Sequence, residues 1–513
     1  MALWVATCLL LAGASLWGPS EPSFDPWAWL VWGREAAQLS LDTTSGPSWK
    51  PLPVVFTTLF APFSAIDDRI PPALWVVVAR GGGLLAVGMA AAVAARLVGG
   101  ALVRRLVAGA VAALGLILTP DWVGYLFHAS EAPLSVGLGL WALDRHLAGR
   151  PRFAFVLGAA VCLARPELFG FLLLYGAWVY RREPPSRTLV VAMALLVIAA
   201  WLLPSWVGSG DPLAAGAQAS SEPSWSLSLT DHPWRAALEV AQGQAWVALE
   251  LTALVAVALS LLSRKDTALV PRPALPAAVA VLAGFGAAVI GLFAAMTQAG
   301  FSGNARYVLP AIATMSVLGG IGAGLVVDLG RRIGERVARS GGAPARASRA
   351  LGSAAVGGVL LIAAAPELKD HLEAADAEAR EAVERSRLHS QLERAVDTIG
   401  ADYITRFGPA TTNRSYQTHL AWELSLPLSG VHGTGGRGIV LSAPAQPLAG
   451  VVRIYPRARR RITMARVGAW TVSARPPNAR HVFSWPPVGF SLCVAAARQL
   501  PLEDGRQRPC RAT

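Results

Sequence analysis

Long apolar runs, broken by short polar connections, fill the first 366 residues of the chain. A helix needs about 20 apolar residues to cross the hydrocarbon core of a bilayer. The run at 153–180 contains Arg165-Pro166-Glu167, and because a proline and charges disrupt a helix in lipid, we interpret it as two short helices that meet near a membrane face. The pattern therefore predicts eleven spans, namely these two and those at 3–18, 73–97, 102–119, 132–148, 188–208, 245–263, 274–296, 308–327 and 351–366.

Lys and Arg are distributed unevenly between the two sets of connections. With a cytoplasmic N-terminus, the inside connections carry about three times as many cations as the outside ones, as the positive-inside rule requires. The outside cations are Arg34, Lys50, Arg69, Arg165, Arg235 and Arg306. The pattern predicts a multi-pass protein of the plasma membrane with a cytoplasmic N-terminus. Because no Lys or Arg precedes the first apolar segment, a retained helix is favoured over a cleaved signal peptide.

The chain changes character after Pro366. Residues 367–396 are charged and helix-forming, and a helix is expected again near 417–424. This alternation predicts a small α/β or α+β domain over 367–513, which the topology places outside the cytoplasm. Cys493 and Cys510 both lie in it and are candidates for a disulfide. Candidate strands lie at 403–406, 438–442, 451–454 and 462–474.

The composition agrees with a polytopic α-helical membrane protein. Hydrophobic residues make up 54% of the chain and charged residues only 15%, whereas soluble proteins are about a quarter charged. The net charge of +13 reflects the inside connections and the C-terminal piece, so no nucleic-acid partner is expected. No phosphate-binding loop, Asp-x-Asp pair or His/Cys/Asp cluster at ligand spacing is recognised, so no nucleotide site or other cofactor is indicated, and a divalent metal stays open but without support.

Acidic residues gather in the outside connections, above all in the long loop 19–72. Trp27, Trp29 and Trp32 suit a helix that lies along the membrane surface, or a plain aromatic belt. Asp25 follows the first span directly and precedes Pro26. It suits either a general base or the cap of a helix that begins at Pro26. The acids indicate a functional site at the outer face.

Five features follow one another along the chain. They are Asp25 soon after the first helix, the turn Trp49-Lys50-Pro51-Leu52-Pro53, the loop 125–131, the polar break 165–167, and Arg306-Tyr307-Val308-Leu309-Pro310 at the start of a late helix. In this order they resemble the GT-C integral membrane glycosyltransferases. The nearest branch contains the lipid A aminoarabinose transferases and protein O-mannosyltransferases, in an actinobacterial form with a small exported C-terminal domain. No single motif is specific, and their order and placement carry the resemblance.

The resemblance covers residues 1–366 and implies a glycosyltransferase with a polyprenyl-phosphate sugar donor. Transfer would take place at the outer face, to a glycan, lipid or protein of the cell envelope, with membrane lipids as further partners. A carboxylate would activate the acceptor, and fixed cations would hold the donor phosphate. The candidates are Asp25 and Glu131 for catalysis, Lys50, Arg165, Arg306 and Tyr307 for the phosphate, and His128, Asp42, Glu167 and Glu250 as secondary residues.

Structural interpretations of the same residues stay open. Glu131 suits the cap of the next helix, and Arg165 suits a buried partner of Glu167 or of a loop acid. Arg306 suits an interface anchor, and His128 a hydrogen-bonded structural histidine. For the whole chain the alternative is a multipass transporter or a lipid or polysaccharide flippase. That alternative is less favoured because we recognise no internal repeat, and because the ionisable residues gather at the outer ends of the spans.

Overall fold

The structure is a computed structural model of the chain. It describes residues 1–221, 225–262, 275–341, 345–406, 408–433, 438–443 and 462–475. The strand expected at 451–454 and the candidate disulfide of Cys493 and Cys510 lie outside these residues.

Helices dominate the described residues. The α-helices are α1 (Ala2–Ala14), α2 (Phe24–Ala37), α3 (Pro51–Phe60), α4 (Ile70–Val98), α5 (Leu102–Ile117), α6 (Trp122–Phe127), α7 (Ala132–Leu147), α8 (Pro151–Cys162), α9 (Phe169–Arg182), α10 (Arg187–Ser209), α11 (Ala214–Ala219), α12 (Pro233–Gly243), α13 (Val247–Leu262), α14 (Leu275–Gln298), α15 (Leu309–Gly341), α16 (Ala345–Ile399), α17 (Ala401–Arg406) and α18 (Gln417–Glu423). Short 3₁₀ helices lie at Ser15–Trp17, Ala61–Ala65, Pro166–Leu168, Pro184–Ser186, Leu227–Leu229, Ala305–Tyr307, Arg414–Tyr416 and Leu428–Gly430.

Each of the eleven predicted apolar segments forms a helix: α1, α4, α5, α7, α8, α9, α10, α13, α14, α15 and the start of α16. Within the described residues, four helices are long and apolar enough to cross a membrane: Ile70–Val98, Pro184–Ser209, Leu275–Gln298 and Leu309–Gly334. The pair α12 and α13, bent by 93°, would count as a fifth. The polytopic helical class is confirmed, and the number of crossings stays a prediction.

Several helices have apolar side chains on the surface of the protein. On α10, Val191, Leu195, Leu203 and Val207 are all exposed. Exposed apolar surface of this extent is unfavourable in water and favourable against lipid. This surface agrees with a multi-pass membrane protein.

The polar interruption at Arg165 divides one apolar run as predicted. The helix α8 ends at Cys162, a 3₁₀ turn spans Pro166–Leu168, and α9 begins at Phe169. Proline lacks the amide hydrogen that would continue the helix. The two short helices leave Arg165 at the point where they meet.

The described residues divide into two compact units. The first contains Met1–Thr43 and Pro47–Val383, and the second contains Thr44–Gly46 and the residues from Glu384 onward. The helix α16 runs through Pro366, where the sequence suggested a domain boundary.

Glycines allow α15 to approach its neighbours closely. A Cβ atom on Gly322 would lie 1.7 Å from the carbonyl oxygen of Thr252 in α13, and one on Gly320 would lie 2.3 Å from that of Ala108 in α5. Small residues of this kind let membrane helices pack backbone against backbone. The contacts of α15 therefore depend on the absence of a side chain at these positions.

We expect Gly322→Ala to lower the free energy of unfolding by about 1–3 kcal/mol, because the methyl group forces α13 and α15 apart. Thermal unfolding in detergent measures the effect. Gly284→Ala on α14 is the matched control, since a Cβ there meets no atom within 4 Å. It should be neutral, or stabilising by up to about 1 kcal/mol through helix propensity. Equal midpoints for the two variants would contradict this account of the packing.

The tryptophan-rich helix of the first loop is buried, so it does not lie with its indoles on the membrane surface as expected. Trp27, Trp29 and Trp32 are all buried. Trp29 packs edge to face on Trp75 of α4 at 5.5 Å between ring centroids, and Trp32 Nε1 donates to the Asp42 carbonyl at 2.9 Å. The helix also begins at Phe24, two residues earlier than expected, which places Asp25 in its first turn.

The second unit contains a five-stranded sheet. The strands are β1 (Ala410–Thr412), β2 (Val431–His432), β3 (Gly438–Ser442), β4 (Ile462–Val467) and β5 (Trp470–Arg475). Their order is β2-β1-β3-β5-β4, with β1 parallel to β2 and β3, and β5 antiparallel to β3 and β4. The end of α16 packs here, since Trp470 Nε1 donates to the Leu388 carbonyl at 2.8 Å. The strand at 438–442 and the helix near 417–424 are present as predicted.

Two strand predictions in this unit were wrong. Residues 403–406 form α17, because Gly400 ends α16 at a positive φ of 89° and the chain restarts a helix that buries Ile404. The stretch 462–474 is a hairpin of two strands, because Gly468 turns the chain at a φ of 57° and lets Val467 pair with Trp470. In both places a glycine with positive φ sets the local structure.

Candidate active site

One carboxylate joins three distant parts of the first unit. Glu131 precedes α7, Lys50 precedes α3, and Arg165 lies between α8 and α9. The Lys50 Nζ lies 2.5 Å from Glu131 Oε1, and Arg165 Nη2 lies 3.3 Å from the same oxygen. The side chains of Glu131 and Arg165 are 0% and 1% exposed. The predicted catalytic carboxylate and two of the predicted phosphate-binding cations therefore meet in the protein interior.

The sequence around Lys50 explains its position. Pro51 and Pro53 lie in the first turn of α3, where a proline is favourable, and Lys50 is the residue before the helix. The Leu52 amide donates to the Leu163 carbonyl at 3.0 Å, which fixes this turn against the end of α8. The Lys50 Nζ also lies 5.4 Å from the ring centre of Trp29, a cation–π contact.

A second ion pair joins Asp25 to Arg306. Arg306 Nη1 donates to Asp25 Oδ2 at 2.8 Å. Arg306 lies in the 3₁₀ helix Ala305–Tyr307, which Asn304 caps by accepting from the Arg306 amide at 3.0 Å. The Tyr307 ring contacts both guanidinium groups, at 5.3 Å from Arg165 and 5.9 Å from Arg306. Tyr307 thus connects the two ion-paired groups.

The charges of this cluster control one another. Burial alone would raise the pKa of Glu131, but Lys50, Arg165 and Arg306 hold this pKa well below its usual value. Burial and the two arginines lower the pKa of Lys50 to about 8, against the opposing effect of Glu131. Burial opposes the charged form of Arg306, yet Asp25 and Glu131 raise its pKa well above the usual value. The carboxylate of Glu131 is therefore ionised and fixed between cations.

Arg165 is buried without satisfying its hydrogen-bonding capacity. Its Nη1 lies 3.6 Å from Glu167 Oε1, yet among the described residues none of its three guanidinium nitrogens has a hydrogen-bond partner. The Nε of Arg306 is buried in the same state. Buried polar groups normally find partners, so such donors call for an explanation. The cluster has free N–H donors that suit the oxygens of an anion.

An apolar cavity of about 580 Å³ lies between α7, α8, α9, α14 and α15. Its lining includes Ser135, Leu168 and Pro310, which follow Glu131, Arg165 and Tyr307 by three or four residues. Its other lining residues include His146 and Tyr175, whose Nδ1 and hydroxyl lie 2.9 Å apart. From Ser135 to His146 the helix rises by about 16 Å. The cavity therefore begins one turn from the charged cluster and extends along about three turns of α7.

Solved structures match this architecture, although no family model and no curated protein sequence matches the chain. ArnT from Cupriavidus metallidurans bound to undecaprenyl phosphate has a TM-score of 0.50 at 15% identity, covering 93% of this chain and 99% of that one. The same protein in the apo state has a TM-score of 0.51 at 17% identity, covering 93% and 98%. The chain therefore shares its overall fold with these ArnT structures.

Seven of the ten candidates lie together on this scaffold: Asp25, Lys50, Glu131, Arg165, Glu167, Arg306 and Tyr307. Three lie elsewhere. His128 Nε2 is 3.3 Å from Glu378 Oε2, and the Asp42 amide donates to Glu35 Oε2 at 2.9 Å. Glu250 is half-buried in the first turn of α13 and takes part in none of the ion pairs described above.

The side chain of Glu131 does not cap α7. Glu131 is the residue before the helix, but its side chain makes no capping hydrogen bond there. Its oxygens are directed to Lys50, to Arg165 and, at 3.3 Å, to the Ser130 hydroxyl. Of its two sequence interpretations, the side-chain cap is therefore wrong, and the catalytic role stays a prediction.

Arg80 positions the loops of the site and was missed in the sequence. It lies within the apolar helix α4 and donates to the carbonyls of Ser15, Pro19 and Leu126. These contacts hold the chain ahead of Asp25 and the chain ahead of Glu131. The signal was an arginine inside a span, which is costly in lipid and usually has a role.

Glu35 is a buried acid that was also not singled out from the sequence. Burial, aided by Asp42, raises its pKa to about 7, although the Asp42 amide and Arg34 act in the other direction. Its Oε1 has no hydrogen-bond partner among the described residues. It holds the end of α2, and hence the helix that carries Asp25, against the following loop.

We expect Glu35→Gln to stabilise the protein in a pH-dependent way. The unfolded chain ionises near the usual value of 4.5 and the folded one near 7, so the contribution of Glu35 to stability is fullest below pH 4.5 and falls as the pH rises to 7. The midpoint of Glu35→Gln relative to wild type should therefore rise across this window and then level off. Thermal unfolding in detergent checks this. A pH-independent difference between Glu35→Gln and wild type would refute it.

We expect Glu131→Gln to lower the free energy of unfolding by about 3–5 kcal/mol, because it leaves Lys50 and Arg165 buried without their shared counter-ion. The control is Glu239→Gln, whose partner Arg235 and own side chain are both more than half exposed. That pair should contribute at most about 0.5 kcal/mol. Denaturation of both variants in the same detergent measures the difference. Similar losses in the free energy of unfolding would show that Glu131 is not needed to compensate the buried charges of Lys50 and Arg165.

Proposed function

We propose that the chain is an integral membrane glycosyltransferase. It transfers a sugar from a polyprenyl-phosphate donor to a cell-envelope acceptor at the extracytoplasmic face of the plasma membrane. The observation that carries the proposal is Arg165, a buried guanidinium with unsatisfied donors one turn from a long apolar cavity. A ligand that fits both features has an anionic head and a hydrocarbon tail.

The donor phosphate binds between Lys50, Arg165 and Arg306 in this proposal. The carboxylates of Asp25, Glu131 and Glu167 already lie against these cations, so the site offers free donors rather than a large excess of positive charge. A guanidinium can bind two phosphate oxygens at once, while an ammonium acts as a point charge. The first isoprene units then lie in the cavity beside α7. The binding of undecaprenyl phosphate by the ArnT structure supports this class of lipid.

Asp25 is the proposed base. Arg306 bonds its Oδ2, while Oδ1 has no hydrogen-bond partner among the described residues. The acceptor hydroxyl oxygen attacks the anomeric carbon, its proton passes to Asp25, and the bond from that carbon to the phosphate oxygen breaks. Polyprenyl phosphate leaves as an anion that the three cations stabilise, so no strong acid is needed. Attack opposite the leaving group inverts the anomeric centre.

Glu131 has a positioning role in this mechanism, although the sequence grouped it with the catalytic residues. It is fully buried, and its lowered pKa makes it a poor proton acceptor. Its carboxylate instead holds Lys50 and Arg165 next to each other, where both can contact the donor phosphate. The sidedness of the reaction follows from the predicted cytoplasmic N-terminus, which places the cluster and the C-terminal domain outside.

Transfer from synthetic polyprenyl-phosphate sugars, measured in proteoliposomes, tests the proposal. We expect Asp25→Asn to lower kcat by about 100- to 10,000-fold, the usual contribution of a positioned base, with little change in the donor KM. Asn keeps the hydrogen bond to Arg306, so the effect reports proton transfer. The matched control is Asp68→Asn, an exposed acid of the same loop, which should keep full activity.

Two results would overturn the proposal. One is the absence of transfer or hydrolysis by wild type with every donor in a panel of hexose and pentose derivatives. The other is full activity of Asp25→Asn. Movement of the lipid across the bilayer without sugar transfer would favour the flippase instead.

A further inference from the structure

The second unit contains a His-x-x-x-Glu sequence twice. His389 and Glu393 lie near the end of α16, and His419 and Glu423 lie in α18. Residues four apart project from the same side of a helix. Each helix therefore presents one imidazole and one carboxylate together.

The donor atoms of these two pairs converge. His419 Nε2 lies 3.2 Å from Glu423 Oε1 and 3.8 Å from Glu393 Oε1. Ligand atoms of all three residues lie within 4.8 Å of one another. The His389 ring packs on that of His419 at 4.2 Å between centroids. The three groups come from two helices whose site residues are far apart in the sequence.

These distances suit a bound metal ion. In a tetrahedral zinc site, bonds of about 2.1 Å place neighbouring donor atoms about 3.4 Å apart, close to the two distances from His419. Two carboxylates brought this close repel each other unless a cation lies between them. A divalent cation would balance both charges and draw the three donors together.

The environment of the histidines also suits a metal. The His419 side chain is 1% exposed, while the two carboxylates are partly exposed, which leaves an approach from solvent. The His389 side chain is also buried and packs on the His419 ring. A mixed nitrogen and oxygen donor set favours Zn²⁺ over Mg²⁺ or Ca²⁺, which prefer oxygen alone.

We propose that Glu393, His419 and Glu423 bind one Zn²⁺ ion, which links the end of α16 to α18. His389 acts as a positioning residue that holds the His419 ring. Three protein ligands leave one position of a tetrahedral ion for solvent or for a ligand from solution. This site is separate from the cluster around Glu131, and the proposal does not depend on the proposed glycosyltransferase activity.

The test uses the full chain in detergent, with any affinity tag removed and metals stripped by a chelator. The protein is equilibrated with Zn²⁺ and dialysed, and the retained metal is measured by mass spectrometry. We expect one zinc per wild-type chain, and at least about 10-fold weaker binding for Glu393→Gln and Glu423→Gln. These changes preserve side-chain shape and remove a charged ligand. Glu384→Gln is the matched control, since Glu384 lies on α16 and pairs with Arg387.

Co²⁺ provides a second measurement that does not depend on how well the variants fold. Wild-type protein should show the visible absorption of a tetrahedral Co²⁺ site, and added Zn²⁺ should abolish it, whereas Mg²⁺ should not. The proposal is overturned if wild type retains no zinc, or if Glu423→Gln retains as much as Glu384→Gln. It is also overturned if the Co²⁺ spectrum is absent from wild type.

Discussion

The first unit depends on the shared ion pair of Glu131 with Lys50 and Arg165. A charge buried this fully is tolerated only when an opposite charge and hydrogen bonds compensate its loss of hydration. Lys50 and Glu131 are 81 residues apart in the chain. The loop after the first helix must therefore fold so that the side chain of Lys50 reaches Glu131. The position of Lys50 is fixed by Pro51 and Pro53 at the start of α3 and by the hydrogen bond that the Leu52 amide donates. Trp29 of α2, which contacts Lys50, in turn packs on Trp75 of α4.

The cluster is compensated in charge but not in hydrogen bonding. A site built only for stability would be expected to satisfy the Arg165 nitrogens, because each unsatisfied buried donor is unfavourable by about 1–3 kcal/mol. The protein tolerates this at the junction of two short helices, beside an apolar cavity. The protein is thus less stable than it could be at this one place, and a phosphate-bearing lipid would supply the missing hydrogen-bond acceptors. The pattern is typical of sites that are prepared for a ligand.

Much of the fold is readable from local sequence. The break at Arg165-Pro166-Glu167 was predictable because proline and buried charge act on the residues beside them. The candidates at Lys50 and Arg306 were found because cations are few in the outside connections, and those at Asp25 and Glu131 because acids gather there. Their pairing was not found, since it depends on contacts between distant segments. Trp29 appeared suited to a membrane surface because nothing local reveals that α4 covers it. Ile404 has a strand-like sequence context, and burial after Gly400 makes it helical.

The grouping of Glu393, His419 and Glu423 also escaped sequence analysis, because its two halves belong to helices separated by α17, β1 and a 3₁₀ helix. Each His-x-x-x-Glu on its own is common and uninformative. Arg80 was visible as a charge within a span, yet its three carbonyl acceptors come from two segments, far apart in the chain, that only the folded protein brings together. In each case the residue type was visible in the sequence. The contacts that it makes with distant segments were not, since they depend on the tertiary structure.

The limited length of the apolar cavity has a consequence for how a substrate would be exchanged. Its lining covers about three turns of α7, whereas an undecaprenyl chain, fully extended, is several times longer. Under the proposed binding mode most of the tail stays among the membrane lipids, and only the portion next to the phosphate leaves them. The protein would then never extract its donor from the bilayer. Turnover would require only sideways diffusion of a tethered head group, and the enzyme would be indifferent to the far end of the chain.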